Sequence, residues 1–180
     1  MRLRRVVTLP LLALLASGLF FAGRALTSPA PPGPGHTFTA RVVRVVDGDT
    51  FIARPTTAHH DVRVRLIGVD TPETVKPNTP VRCYGPQASA LTKHLMPPGL
   101  LVRAAYEPGG NQDRYGRDLW DVWLPDGRFL AGVLASSGAA RAYPVSPQTT
   151  YAAALRDMAS SARAQGKGLW GEPCEGHAFG

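Results

Sequence analysis

The stretch VVDGDTFIARP, Val45–Pro55, reads as two β-strands folded about an acidic glycine turn. Val45, Thr50, Phe51 and Ile52 all favour extended backbone. The bend between them, Asp47-Gly48-Asp49, places two carboxylates around one glycine, where a hairpin needs a single acidic turn residue. Asp-Gly is an ordinary turn signal, with the aspartate bonding its own backbone. The second carboxylate gains another use if it reaches a site shared with other segments. The stretch by itself leaves both readings open.

Working outward, TFTARVVRVV (Thr37 to Val46) alternates roughly and is rich in β-branched residues, so it predicts a first strand. Thr50 to Ala53 continues as a second. DVRVRLIGV (Asp61 to Val69) predicts a third, with Val62, Val64 and Leu66 on one face and Arg63, Arg65 and Ile67 on the other. The period then changes. In GPQASALTKHLMPP, Pro86 suits a first helical turn, Ala88, Leu91 and Leu95 share a face, and Pro97-Pro98 stop the helix. Leu100 to Tyr106 and Leu119 to Leu124 return to strand pattern. FLAGVLASSG predicts a short helix ending at Gly138, and a last helix is expected from about Pro147 to Gln165. Five short strands with a helix between the third and fourth predict an α+β fold, a five-stranded OB-type barrel with three helices.

The 180 residues suit one domain with appendages, and the formal charge is +7. Arg2, Arg4, Arg5 and Arg24 account for four of those charges within the first thirty residues, which hold no acid, so the remainder carries +3. That balance is compatible with a polyanionic partner. A basic start followed by the apolar run Val6 to Ala22 has the layout of a secretory leader, either cleaved or retained as a membrane anchor. Residues 1–26 are therefore read as signal peptide or signal anchor and 27–36, rich in proline and glycine, as a tether. The folded domain is placed at 37–175 and a short tail at 176–180. The location expected is extracellular, either secreted or held at the outer face of the cytoplasmic membrane. The two cysteines, Cys83 and Cys174, fit that compartment as a disulfide; the other reading is two buried thiols.

Chemistry gathers at strand ends. RVRLIGVDTPET (Arg63 to Thr74) sets Asp70, Thr71 and Glu73 just past the third strand, with Pro72 stiffening the turn. Two carboxylates and further oxygens within four positions suit a hard cation, and Asp49 can add another if its bend lies alongside. DRYGRDLW (Asp113 to Trp120) opens the fifth strand with Arg117. His59-His60 reads as a solvated turn, and Trp120, Trp123 and Trp170 as packing residues.

VVDGDTF, VRLIGVDTPE, YGPQASALTK and DRYGRDLWDVW, in that order and with similar spacing, resemble the signatures of the staphylococcal nuclease (thermonuclease) family. The resemblance runs from about Thr37 to Trp170. It implies an OB barrel, calcium dependence and cleavage of DNA or RNA phosphodiesters. Matched motif by motif, it assigns Asp49, Asp70 and the Thr71 carbonyl to Ca2+, Arg65 and Arg117 to catalysis, and Glu73 to the role of general base. Tyr115 matches a residue contacting nucleotide phosphate; Tyr143, one residue out of register, is the looser match to a tyrosine over the nucleotide. The segment TVKPNTPVRC departs from the family, and no lysine there is assigned. The alternative is a non-catalytic OB module binding nucleic acid or protein, which has no reason to hold both arginines, both acids and the glutamate together. No obligate protein partner is evident, and a monomer is expected.

Overall fold

A computed structural model describes residues 37–75, 78–106, 112–143 and 150–179. The leader and tether lie outside the described residues. The opening hairpin forms as its sequence dictates: β1 (Thr37–Asp47) and β2 (Thr50–Pro55) pair antiparallel, with Asp47 opposite Thr50. β3 (Val62–Leu66) adds to β2, with Thr50 opposite Arg65 and Ile52 opposite Arg63. β5 (Leu101–Tyr106) pairs with β1, and β6 (Asp118–Trp123) lies antiparallel to β5 and parallel to β3. The closed order is β1-β2-β3-β6-β5, a barrel that leaves no exposed strand edge.

Alternation sends Ala40, Val42, Phe51, Ala53, Val64, Leu66, Val102 and Ala104 inward. Trp120 fills the centre, edge-on to Phe38 at 5.0 Å and to Phe51 at 6.1 Å. β6 is buried along its whole length, with α2 packed against it. α1 (Gly85–Leu95) buries Ala88, Ser89 and Thr92, and the Thr92 hydroxyl donates to the Gly48 carbonyl at 2.6 Å. That bond ties the helix to the acidic turn. α2 (Leu130–Ser136) and α3 (Ala152–Ala164) pack on each other beside β6.

The third strand is shorter than its sequence pattern suggests. Gly68 has φ 79° and turns the chain after Leu66, so Val69–Asp70 becomes a separate short strand, β4, paired with β7 (Arg141–Ala142). The last helix begins at Ala152 after a turn at Thr150-Tyr151, and the expected start at Pro147 falls outside the described residues. Cys83 and Cys174 form a disulfide across 91 residues. Trp120 and Trp123 are fully buried, as expected of packing residues.

Candidate active site

The acidic turn divides its two carboxylates between two tasks. Asp47 Oδ1 accepts the Gly48 N–H at 2.8 Å and the Thr74 hydroxyl at 2.6 Å, so this residue shapes the bend and pins it to the segment after β4. Asp49 points the other way. Its Oδ1 accepts the Thr50 hydroxyl at 2.9 Å and its Oδ2 accepts the Thr71 N–H at 2.9 Å. The glycine between them is a matter of room: a Cβ on Gly48 would stand 2.6 Å from Thr71 Oγ1.

Arg65 is the centre of the site. Although charged, its side chain is 6% exposed. One Nη donates to the carbonyls of Leu66 and Val69, at 2.8 and 2.7 Å, made available by the Gly68 turn. The other Nη lies 3.2 Å from Asp49 Oδ2 and donates to Asp70 Oδ1 at 3.0 Å. A buried guanidinium is tolerable only when its charge and donors are matched this fully. The β4–β7 pairing sets Arg141 opposite Asp70, and Arg141 Nε and Nη2 both donate to Asp70 Oδ2. Burial foremost, and then the charge of Asp49, push the Asp70 carboxyl above its ordinary range against the pull of Arg65 and Arg141. Burial likewise raises Asp47, opposed by the Thr74 hydroxyl and reinforced by the neighbouring Glu73 carboxyl.

The other expected residues gather around this centre without joining it. Glu73 Oε1 accepts the N–H groups of Thr74 and Val75, at 3.0 and 2.9 Å, so the glutamate folds back over its own loop towards Asp47. Arg117 forms a second group: its Nε donates to Asp113 Oδ2 at 2.7 Å, and Asp113 Oδ1 accepts the N–H groups of Tyr115 and Arg117. Those hydrogen bonds outweigh burial and hold the Asp113 carboxyl below its usual range. Tyr115 is 68% exposed, with the guanidinium carbons of Arg114 and Arg117 at 4.8 and 5.5 Å from its ring centre. Because Leu119 pairs with Arg65, Arg117 stands two residues along the neighbouring strand, roughly 7 Å away in that direction. Tyr143 is exposed beside Arg141, whose guanidinium lies 5.3 Å from the Tyr143 ring and 3.8 Å from that of Phe179.

Arg141, Asp113 and Arg114 stand among the candidate site residues in the structure, and the sequence reading assigns them no role. Asp113 was open to discovery, since Asp113 and Arg117 are four apart in a turn. Arg141 was not, because a two-residue strand leaves no periodic trace.

The donor set fits a hard cation. Asp49 and Asp70 carboxylates share one guanidinium nitrogen, and the Thr71 hydroxyl beside them is buried with no hydrogen-bond partner among the described residues. Among the described residues no group of three His, Cys, Asp or Glu is placed to hold a metal ion by itself, so the remaining ligands of such an ion would be backbone oxygens, water or substrate. His59 and His60 are exposed, in line with a solvated turn.

OB barrels bind oligonucleotides or oligosaccharides, and comparison with known proteins gives the family. Residues 63–172 match the family described as staphylococcal nuclease homologue. A thermonuclease of Staphylococcus intermedius is 45% identical over 130 residues, covering 72% of this chain and 74% of that protein. The Staphylococcus hyicus thermonuclease is 43% identical over 133 residues, covering 73% and 75%. An uncharacterized endonuclease of Escherichia coli O157:H7 is 34% identical over 132 residues, covering 73% and 76%. The chain belongs to the staphylococcal nuclease family.

Proposed function

We propose that the protein is an exported, calcium-dependent nuclease that hydrolyses phosphodiester bonds of DNA or RNA. The observation that carries this reading is the convergence of Asp49 and Asp70 on the single guanidinium of Arg65. Asp49, Asp70 and the Thr71 carbonyl are the residues that would hold Ca2+. When bound, the ion neutralises phosphate charge and orients an attacking water.

The chain's own groups do the rest. Arg65 is clamped through one Nη by two carbonyls, which fixes its plane and aims the other Nη at the acid pair, where a phosphate oxygen would compete for it. Arg117, oriented by Asp113, brings a second guanidinium. Both meet the charge that builds on the phosphate oxygens in the transition state. Their high pKa makes them electrostatic partners and not proton donors. Glu73 is the base that takes the water's proton; the N–H groups of Thr74 and Val75 hold it ready. Tyr115 and Tyr143, both exposed beside arginines, contact nucleotide.

Export is supported by the basic and apolar leader pattern and by the Cys83–Cys174 disulfide, since disulfides persist in oxidising compartments. The test is digestion of single-stranded DNA and of RNA by the purified protein, with calcium and then with a chelator. Cleavage that the chelator stops supports the reading. Equal cleavage in both conditions removes the calcium requirement, and none in either removes the nuclease.

A further inference from the structure

The outer face of β1, β2 and β3 carries arginines in successive rungs that run along the strands from Arg65, the second passing level with Arg117. The first rung holds Thr50 and Arg65. Two residues further along the strands, Arg44, Ile52 and Arg63 occupy consecutive strands in one row. Beyond them Arg41 stands directly opposite Arg54, beside an open groove lined also by Pro55 and Thr56. All four arginines outside the first rung are exposed.

From Thr37 to Leu66 the only acid outside the buried turn is Asp61, and it is taken by Arg54 at 2.7 Å. Arg41 donates to the Gly99 carbonyl, and among the described residues no carboxylate forms an ion pair with Arg41, Arg44 or Arg63. Like charges directly opposite on paired strands oppose folding, so this face gains from an anion brought from outside. We propose that it is a track for the phosphate backbone of the nucleic acid that continues beyond the scissile bond.

The track rests on the nuclease reading above. Three features favour a polynucleotide over an anionic membrane. The rungs begin at Arg65 itself, so one strand can pass from the cluster onto them. The cations are guanidiniums, whose planar fork matches phosphate in two-point contact. The large apolar side chains in these rows are Ile52, half-buried between Arg44 and Arg63, and Leu101, exposed on β5 opposite Arg41; they suit contact with sugars or bases, and two separated side chains are too little to enter a bilayer.

The test uses the full chain and the variants R44Q/R63Q and R41Q/R44Q/R54Q/R63Q, with melting curves to show that each is folded. Binding and cleavage are measured on a long single strand and on an oligonucleotide short enough to fill only the catalytic cluster, over a range of salt. For the long strand the fourfold variant should bind about tenfold or more weakly, and its log K against log salt slope should flatten by ~0.7 per lost contact, with the double variant intermediate. kcat on both substrates and kcat/KM on the short one should equal those of the unaltered protein. Unchanged long-strand affinity and salt slope in the fourfold variant would overturn the track. So would loss of binding to phosphatidylglycerol vesicles without loss of binding to DNA. If the unaltered protein cleaves neither substrate, the nuclease reading fails, while long-strand binding still judges the track separately.

Discussion

Arg141 places both Nε and Nη2 on Oδ2 of Asp70, at 3.0 and 2.8 Å, across 71 residues of sequence. Arg65 takes the other oxygen of the same carboxylate. Asp70 is therefore gripped from two sides, which fixes the orientation of its carboxylate. Partners that orient a metal ligand typically contribute 10–100-fold to affinity. Arg141→Gln should weaken calcium binding by about that factor, and Arg141→Lys, which keeps charge but loses the fork, should fall between. Fluorescence titration with a calcium-competing dye reads the difference. Tighter binding in Arg141→Gln would mean that Arg141 acts as a rival charge.

Gly48 answers why the acidic turn needs a glycine. Its α-carbon faces Thr71, and a methyl group there would come within 2.8 Å of three Thr71 side-chain atoms. Gly48→Ala should destabilise the fold by about 1–3 kcal/mol, the usual range for overpacking. It should also weaken calcium binding, because Asp49 and Thr71 are joined by a hydrogen bond that the shift would strain. Urea unfolding measures the first effect. An unchanged midpoint would show that the Thr71 segment yields freely.

Glu73 and Arg65 should separate in their mutant behaviour. Glu73→Gln keeps an oxygen for the Thr74 and Val75 N–H groups, so the loop and calcium affinity should survive while turnover falls. Arg65→Lys removes the bridge between Asp49 and Asp70 along with the fork. Its kcat should drop by about 10²–10³, the scale for losing one transition-state donor, and its melting temperature should drop too. Steady-state kinetics with calorimetry distinguishes the two patterns. Glu73→Gln abolishing calcium binding would reassign the glutamate to the metal.

The Asp113–Arg117 pair makes a pH prediction. The Asp113 carboxyl lies below its ordinary range in the folded protein. A depressed carboxylate gives stability that is present above the unfolded pKa and is lost as pH falls through the folded one. Asp113→Asn should therefore cost up to about 1 kcal/mol near neutrality, and the gap to the unaltered protein should close in acid. Turnover should fall as well, since Arg117 loses its orienting partner. A gap that widened on acidification would contradict this sign.

Reduction of the Cys83–Cys174 disulfide should lower the melting temperature. The bridge closes a loop of 91 residues, worth ~4–5 kcal/mol in the chain-entropy model, with measured values often smaller. Neither cysteine is bonded to the acid–arginine cluster, so initial activity at moderate temperature should stay nearly intact. Parallel melting and activity measurements on Cys83→Ser/Cys174→Ser check both halves.

The barrel was legible because its strands obey a two-residue period and its helices do not, and the switch at Pro86 is abrupt. Asp49 and Asp70 stood out as acids at strand ends, Arg65 was joined to them by the resemblance of its motif, and the structure brings the three side chains into contact. What escaped was long-range and short in extent. The β4–β7 ladder is two residues on each side, too brief for periodicity, and so Arg141 carried no local sign of its partner. The Gly68 turn was likewise hidden inside LIGV, where apolar neighbours read as continuing strand. Its consequence, carbonyls presented to Arg65, explains how a charged side chain can be buried there.

If Asp49 and Asp70 together form the calcium site of a nuclease, as proposed, neither carboxylate can be lost without weakening the ion's binding. Calorimetric titration of calcium into the unaltered protein, Asp49→Ala and Asp70→Ala tests it most directly. Saturable binding in the unaltered protein that is lost or greatly weakened in each variant is the predicted result. Binding that survives unchanged in either variant, or is absent from all three proteins, would contradict it.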